Sequence, residues 1–502
     1  METYSIFGMK MAFHTLSHQI DAHAQHTPDR IAIVGTDRSI SWKDLSDSQS
    51  AWRQRWLETA KDDDVVAFYA GNSAGAVAGF CGIVAAGKCI APLPRHLTDE
   101  TLTRLLSDCG AKHVVVDDDG AARLSALNLP QVLHHIDGPD TTHPKAGDAD
   151  IAPNTPFNLT YSSGTTGKPK GIVQSHALRA NQGASGTLMG LGPAKVSILS
   201  TPLDSDTTII GLVGALWNGA QLVLMPKFEA LDFIEVIDKQ KVTHTLMVPV
   251  QYERVLDHAE YATERLASLE LSLCTGAPLS PRRKRELCDR WPGAILEVYG
   301  LTEGGATTLL SLKDNPEKLH TVGQPFPGST ILTISDDGTV CPTGETGEIV
   351  GRDEWMMTGY TDENLNGSVF WTDDEGLRYI RTGDLGALDA DGFLTIQGRK
   401  KDMIISGGFN VYPCDVESVL SDHPDVVECA VFGTPSEKWG ETPVAALVTR
   451  REATINAEDF KAWANDRLGK TQRLSDVLLL DALPRTAADK IDKNALRALP
   501  LS

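Results

Sequence analysis

Positive charge is in short supply in this sequence. Its 502 residues hold 46 lysines and arginines against 67 aspartates and glutamates, a formal net charge of -21. Nucleic-acid binding depends on neutralising phosphates, so a nucleic-acid partner is not expected. No basic run suits an anionic membrane surface. A small anionic substrate requires positive charge gathered locally. Long apolar runs are missing too. The longest weakly polar stretch, Ala74 to Gly87, is rich in Gly and Ala, is too short to span a bilayer, and reads as a buried helix. The start of the chain does not follow the secretory pattern of charge, apolar core and small-residue cleavage site. The eight cysteines are Cys81, Cys89, Cys109, Cys274, Cys288, Cys341, Cys414 and Cys429, with no Cys-x-x-Cys among them. A chain this long needs no disulfide staples, so reduced structural thiols in a cytoplasmic enzyme are expected. Dinucleotide Gly-x-Gly-x-x-Gly, His-Glu-x-x-His, Gly-x-Ser-x-Gly and solenoid repeats are all lacking.

What stands out is Leu159 to Val173, Leu-Thr-Tyr-Ser-Ser-Gly-Thr-Thr-Gly-Lys-Pro-Lys-Gly-Ile-Val. Ser162 to Lys168 offers no apolar anchor for a core. Glycines let backbone N–H groups turn toward one point, and Ser and Thr hydroxyls add donors. Lys168 and Lys170 add positive charge, so a polyphosphate is the natural ligand. A Walker A loop is ruled out, because Ser162 stands where the first Gly belongs and Pro169 where the Ser or Thr belongs. The alternative is a flexible linker, which does not account for two lysines between apolar flanks.

Strand and helix signals alternate along the first part of the chain. A helix is expected from about Ala12 to Ala24, a strand at Ile31–Val34, and a helix after Ser41 with Asp44 at the box position. Val65–Tyr69, Cys89–Leu93 and Val114–Val116 read as buried strands. The alternation implies an α/β sandwich with largely parallel sheets. Val242 to Pro249 reads as a strand running into a turn, with His244 structural rather than catalytic, and Leu271 to Leu279 as a strand ending in a Gly turn. Gly344 to Gly351 reads as a hairpin of a small β subdomain. The charged run Arg399 to Asp402 separates two apolar stretches and marks a domain boundary. Beyond it, helix and strand signals such as Glu417–Leu420, Val426–Phe432 and Ala445–Val448 indicate a compact α+β domain.

The Leu159–Val173 stretch closely resembles the phosphate-binding signature of the AMP-forming adenylating enzymes: acyl-CoA synthetases, peptide-synthetase adenylation domains and firefly-type luciferases. Glu297-Val298-Tyr299-Gly300-Leu301-Thr302-Glu303 resembles their adenine and magnesium motif. Alone it would be a turn. With the phosphate signature, Tyr299 offers a stacking face, Gly300 a close main-chain approach, Thr302 a phosphate contact and Glu303 a hard oxygen ligand for Mg²⁺. The resemblance implies a large N-terminal domain of αβ-sandwich subdomains plus a small β subdomain (1–398). A hinge at 399–403 centred on Lys401 follows, then a small mobile α+β domain (404–502). It implies ATP contacts from Ser162, Ser163, Gly164, Thr165, Thr166, Lys170, Ala277, Glu297, Val298, Tyr299, Thr302, Asp384 and Arg399. Asp384 lies in Arg381 to Gly386, which alone reads as a surface turn; in the family it is the ribose site. Lys490, in a segment matching the catalytic-lysine region, would act with Thr302 and Glu303. Asp489 stands where the family has Gly, implying either another loop conformation or a carboxylate beside the ammonium. CoA contacts would come from Gly407, Gly408, Trp439 and Arg473.

The acyl pocket is expected near Asp206, Met247, Gln251, Gly276, Gly300 and Gly304. Asp204 and Ser205 occupy positions where many acyl-CoA synthetases have an aromatic residue and a His. The cluster 204–207 either binds a polar substrate or is a solvated loop. The expected activity is AMP-forming ligation of a carboxylic acid to CoA, with ATP, Mg²⁺ and CoA. An aromatic, alicyclic or medium-chain acid is favoured, and a homodimer is the family-level expectation. The alternatives are loading of a carrier-protein thiol (whose own domain would need more chain than remains), an inert nucleotide binder and a luciferase-like oxygenation.

Overall fold

The helix Trp42–Thr59 starts where Ser41 provides a cap: its hydroxyl accepts the Asp44 N–H at 3.1 Å and donates to the Asp44 carboxylate at 2.6 Å. The preceding helix runs over Leu16–His26, later than its apolar pattern suggests. Thr15 caps it, and the His18 ring reaches back to the Thr15 N–H at 3.1 Å. The cap outweighs the apolar spacing in setting this boundary.

The computed structural model describes residues 3–6, 9–61, 63–139, 150–162, 169–450, 455–485 and 491–500. Its chain divides into two units, Met1–Thr330 with Gly351–Ile380, and Ile331–Val350 with Arg381–Ser502. In the first unit, one sheet has seven strands in the order Gly359–Tyr360, Lys170–Ser175, Pro156–Ser162, Cys89–Pro92, Val65–Tyr69, His113–Val116, Val132–His135. The last five are mutually parallel; Pro156–Ser162 and Lys170–Ser175 form an antiparallel hairpin. The other sheet has nine strands, with a parallel centre formed by Ala294–Tyr299, Leu271–Cys274, His244–Met247, Val196–Leu199, Gln221–Leu224 and Ile31–Val34.

One buried cluster unites Val66, Phe68 and Ile90 of the first sheet with Ile33, Leu199 and Leu222 of the second. Trp42, Trp52, Phe80 and Leu212 contribute from helices. Helices thus pack between two sheets, the α/β sandwich expected from the alternation. Ala74–Ala85 is buried at every position. Among the described residues no helix is long and apolar enough to cross a membrane.

Thr330–Ile334, Gly347–Arg352 and Arg378–Leu388, most of whose residues belong to the second unit, lie side by side, and Leu394–Arg399 folds back on Arg378–Leu388. A further sheet joins Phe409–Val411, Ile404–Ser406, Gly440–Thr449 and Val426–Ser436, with Asp476–Leu479 parallel to Gly440–Thr449. Helices Pro413–Ser421 and Ala457–Asn465 cover its core of Val416, Leu420, Val431, Ala445, Leu447 and Phe460.

Candidate active site

Parallel strands bring their C-terminal ends to one edge of a sheet, and in α/β folds ligands bind at that edge. In the nine-stranded sheet, Met247 pairs with Cys274, and Cys274 with Glu297. The segments that follow, 248–251, 275–278 and 300–303, therefore emerge side by side. The loop after Val196–Leu199, leading to Asp206, leaves the same edge. Eight residues expected at the ligand, namely Asp206, Met247, Gln251, Gly276, Ala277, Gly300, Thr302 and Glu303, are thus gathered by topology rather than by sequence proximity.

Ser162 and Lys170 are directly paired across the hairpin. The Ser/Thr/Gly signature is therefore the connection of a β-hairpin, unlike the strand-to-helix turn of a Walker loop. Ser163, Gly164, Thr165 and Thr166 lie outside the described residues, as do Asp489 and Lys490. The Lys170 ammonium stands 5.2 Å from the centre of the Tyr360 ring. The hydroxyl of the same tyrosine donates to the Glu303 carboxylate at 2.8 Å. Tyr360 is buried, and both burial and Glu303 push its hydroxyl pKa upward. It remains a neutral donor, linking two residues of the expected ATP site. Tyr360 lies 57 residues from Glu303 along the chain, so no local pattern links the two in sequence.

Glu303 and Thr302 are held by main chain as well. The Met357 N–H donates to the Glu303 carbonyl at 2.8 Å, and Gln174 Nε2 donates to the Thr302 carbonyl at 2.8 Å. Among the described residues, Tyr360 is the only side chain bonded to the Glu303 carboxylate, and no cation pairs with it. One oxygen is thereby oriented and capacity remains for a hard cation, so the residue fits Mg²⁺ ligation.

Other expected ligands have internal partners. The buried Glu297 carboxylate is paired with the buried Lys284 ammonium, which also donates to the Thr321 carbonyl at 2.7 Å. Burial pushes the Glu297 pKa up and Lys284 opposes this. The Glu297 carboxylate is thus engaged by a cation of the protein itself, while the Val298 side chain is half-buried. Gln251 accepts from the Val248 N–H at 3.2 Å and donates to the Ser200 carbonyl at 3.2 Å. It closes the start of a helix, Pro249–Leu256, where the sequence had suggested a turn. Pro at the first helical position needs no N–H partner and favours helical φ, which explains the difference. His244 has both ring nitrogens occupied, by Thr243 Oγ1 at 2.8 Å and the Met189 carbonyl at 2.9 Å, consistent with a structural role.

Asp206 resolves one of the open alternatives. Its carboxylate takes a 2.5 Å bond from Arg179, whose side chain is 1% exposed. The same guanidinium donates to Asn158 at 2.9 Å, Gln182 at 2.6 Å and Gln174. Asp206 is therefore the counter-ion of a buried cation, not a free group for a polar substrate. Through Gln174, the hub also reaches the Thr302 carbonyl.

In the second unit, Asp384 and Arg399 form an ion pair at 2.6 Å, with Asp384 buried. Lys401 is exposed in the short turn Lys400–Asp402. Gly407 and Gly408 form the turn between two strands, with φ of +60° and +82°. A Cβ on Gly407 would come within 2.8 Å of the Trp439 ring, and the Gly407 N–H donates to the Trp439 carbonyl at 2.7 Å. Three expected CoA residues are thus in one place. Arg473 is exposed on the segment before Asp476–Leu479.

The family profile described as AMP-binding enzyme matches residues 20–361, and that of the AMP-binding enzyme C-terminal domain matches 415–490. The indoleacetate–CoA ligase of Aromatoleum aromaticum is 31% identical over 96% of this chain and 98% of its own. The Bacillus subtilis o-succinylbenzoate CoA synthetase, solved with its acyl-adenylate intermediate, is 27% identical with a TM-score of 0.85, covering 98% of this chain and 99% of that one. A structure of the same synthetase with ATP and magnesium ion is 28% identical with a TM-score of 0.83, covering 95% and 99%. Both domains of the profile are present in order and over most of the length, and the chain belongs to the family of AMP-binding enzymes.

Proposed function

We propose that this protein is an AMP-forming carboxylic acid–CoA ligase. The observation that carries the reading is the Lys170–Tyr360–Glu303 constellation beside the hairpin loop at the ligand-binding edge. In the first half-reaction, a substrate carboxylate oxygen bonds to the ATP α-phosphorus and the bond to pyrophosphate breaks. In the second, the CoA sulfur bonds to the acyl carbon and AMP leaves. Glu303 would hold Mg²⁺, which supplies positive charge to the phosphates. Lys170, Lys490, Thr302 and the loop 162–166 would place further charge and donors where negative charge accumulates. Holding acid and nucleotide together on one sheet edge supplies proximity. Asp384 and Arg399 are proposed for the ribose, Gly407, Gly408, Trp439 and Arg473 for CoA, and residues 399–403 for the hinge. The similarity to ligases of indoleacetate and succinylbenzoate supports an aromatic acid as substrate.

Pyrophosphate and AMP release should be measured with MgATP across a panel of aromatic, alicyclic and medium-chain acids, each with and without CoA. CoA-dependent AMP release with an aromatic acid is expected. Pyrophosphate release indifferent to CoA would redirect the reading to a carrier-protein thiol. Nucleotide binding with no pyrophosphate from any acid would overturn it in favour of an inert binder.

Gly300 provides a second test. Its φ is not left-handed, and a Cβ there would meet nothing closer than 3.8 Å. Gly304 has φ +75°, and a Cβ there would lie 1.9 Å from the Trp355 carbonyl oxygen. Gly300→Ala should therefore fold with stability unchanged or raised by about 0.4–1 kcal/mol. Its kcat/KM should nevertheless fall at least about tenfold, a loss of roughly 1.4 kcal/mol in transition-state binding. Gly304→Ala should instead lose stability. Thermal unfolding and steady-state rates on both variants decide this. Wild-type rates in Gly300→Ala would show that no ligand approaches Gly300.

A further inference from the structure

The loop after Glu303 has an unusual requirement. Gly304 and Gly305 adopt φ of +75° and +85°, and adjacent glycines readily exchange between left- and right-handed backbone. Left alone, such a pair would let Thr302 and Glu303 sample many directions. A carboxylate from a separate segment removes this freedom. Asp353 Oδ1 accepts the Gly305 N–H at 3.1 Å and the Trp355 N–H at 2.8 Å. Its Oδ2 accepts the hydroxyls of Thr307 at 3.2 Å and Ser329 at 3.3 Å. Both oxygens are satisfied by four donors, and two of these, the Gly305 N–H and the Thr307 hydroxyl, belong to the stretch that carries the glycine pair. Burial raises the Asp353 pKa, and the Trp355 and Gly305 N–H groups, followed by the two hydroxyls, oppose this.

The clamp works in series with its neighbours. Met357, four residues beyond Asp353, bonds the Glu303 carbonyl, and Tyr360 bonds the Glu303 carboxylate. One short segment, 353–360, thus grips the Glu303–Gly304–Gly305 run by carbonyl, carboxylate and amide. Gly304 also packs against this segment: a Cβ there would lie 1.9 Å from the Trp355 carbonyl oxygen. Losing the Asp353 contact would leave the Gly305 N–H facing a gap while the two hydroxyls turned elsewhere.

We infer that Asp353 is a positioning residue of the reaction, fixing the Gly304–Gly305 backbone so that Thr302 and Glu303 present the geometry used with MgATP. The inference rests on the ligase reading only for its kinetic consequence; the clamp itself stands on the loop contacts. Asp353 has both oxygens engaged by the protein's own donors and would act through the loop. The chemistry makes a graded prediction. Asparagine keeps an oxygen for the two N–H groups, and its NH₂ can donate to the hydroxyls, which accept as well as donate. Asp353→Asn should therefore retain the clamp, whereas Asp353→Ala removes it.

Two readouts on the full-length protein test this. The first is hydrogen exchange of residues 301–306 without ligand. Asp353→Ala should exchange there at least about tenfold faster than wild type, Asp353→Asn within about threefold. The second is pyrophosphate release titrated with Mg²⁺ at saturating ATP and acid, well below the unfolding temperature of each variant. Asp353→Ala should need at least about tenfold more Mg²⁺ for half-saturation, with Asp353→Asn near wild type. Should Asp353→Ala fail to fold, the pair Thr307→Val and Ser329→Ala, which removes two of the four donors, should show intermediate shifts in both. Unchanged exchange, or an Asn variant as impaired as the Ala variant, overturns the clamp. Faster exchange with unaltered Mg²⁺ half-saturation overturns the positioning role. A wild-type protein silent with every acid overturns the ligase reading, while the exchange measurement still decides the clamp.

Discussion

Glu303→Gln is expected to lower the rate of adenylate formation by about 10²–10³-fold, the usual cost of losing a preorganised charge-stabilising group at a reacting centre. The fold should survive the change. The carboxylate's one bonded partner among the described residues is the Tyr360 hydroxyl at 2.8 Å, and the Gln oxygen can accept that bond. The loss should therefore appear in rate and Mg²⁺ dependence rather than in unfolding temperature. Tyr360→Phe provides the graded companion. A hydrogen bond to a charged group contributes about 1.5–3 kcal/mol. If half of that orients Glu303 for its cation, the Mg²⁺ half-saturation should rise by roughly three- to tenfold. The Lys170 contact with the ring, at 5.2 Å, would remain. Initial rates across a magnesium series, with acid and ATP saturating, measure both variants. A Glu303→Gln enzyme within tenfold of wild type would remove Glu303 from the metal-binding role.

Asp206→Ala should cost stability on a different scale. Arg179 is 1% exposed, and among the described residues its other three bonded partners are neutral amide oxygens of Asn158, Gln174 and Gln182. Among the described residues, Asp206 is thus the one carboxylate bonded to this cation. Removing one partner of a buried pair leaves an uncompensated charge and destabilises by about 3–5 kcal/mol. Replacing both partners by apolar residues of similar volume is commonly close to neutral. The double variant Arg179→Met with Asp206→Leu should therefore be more stable than Asp206→Ala. It should still lose activity, because Gln174 would no longer be held by Arg179 while it supports the Thr302 carbonyl. Denaturant unfolding followed by tryptophan fluorescence, with the first unit's transition analysed separately, reads these differences. A cost below about 1 kcal/mol for Asp206→Ala would mean that the guanidinium finds solvent or another counter-ion.

The same pair bears on specificity. From sequence the cluster at 204–207 was either a polar-substrate site or a solvated loop, but a carboxylate bonded to a buried guanidinium is not available to a ligand. Burial also raises the pKa of the half-buried Asp204, against the opposing influence of His96 and the Arg95 N–H. These pairings favour an acid whose tail makes few ionic demands, in keeping with the aromatic substrate proposed above.

The elements themselves were largely legible in the sequence, because the physics that sets them is local. Ser41 and Asp44 are three residues apart, and the cap they form needs no other part of the chain. Val65–Tyr69 and Val114–Val116 are short, β-branched and aromatic apolar runs that suit a strand buried on both faces, and their alternation with helix signals pointed to the parallel sandwich. The expectation of a polyphosphate ligand at 162–168 rests on residue types alone. Where local rules competed, sequence was less decisive: Pro249 opens a helix instead of a turn, and Thr15 delays the first helix. Tertiary structure alone decided the long-range partnerships. Tyr360 meets Glu303 across 57 residues, Arg179 meets Asp206 across 27, and Asp353 meets Gly305 across 48. A carboxylate looks the same in a sequence whether it will hold a metal, neutralise a buried arginine or clamp a glycine loop. Its role follows from the donors and charges that folding places within about 3 Å of it, the distance at which hydrogen bonds form.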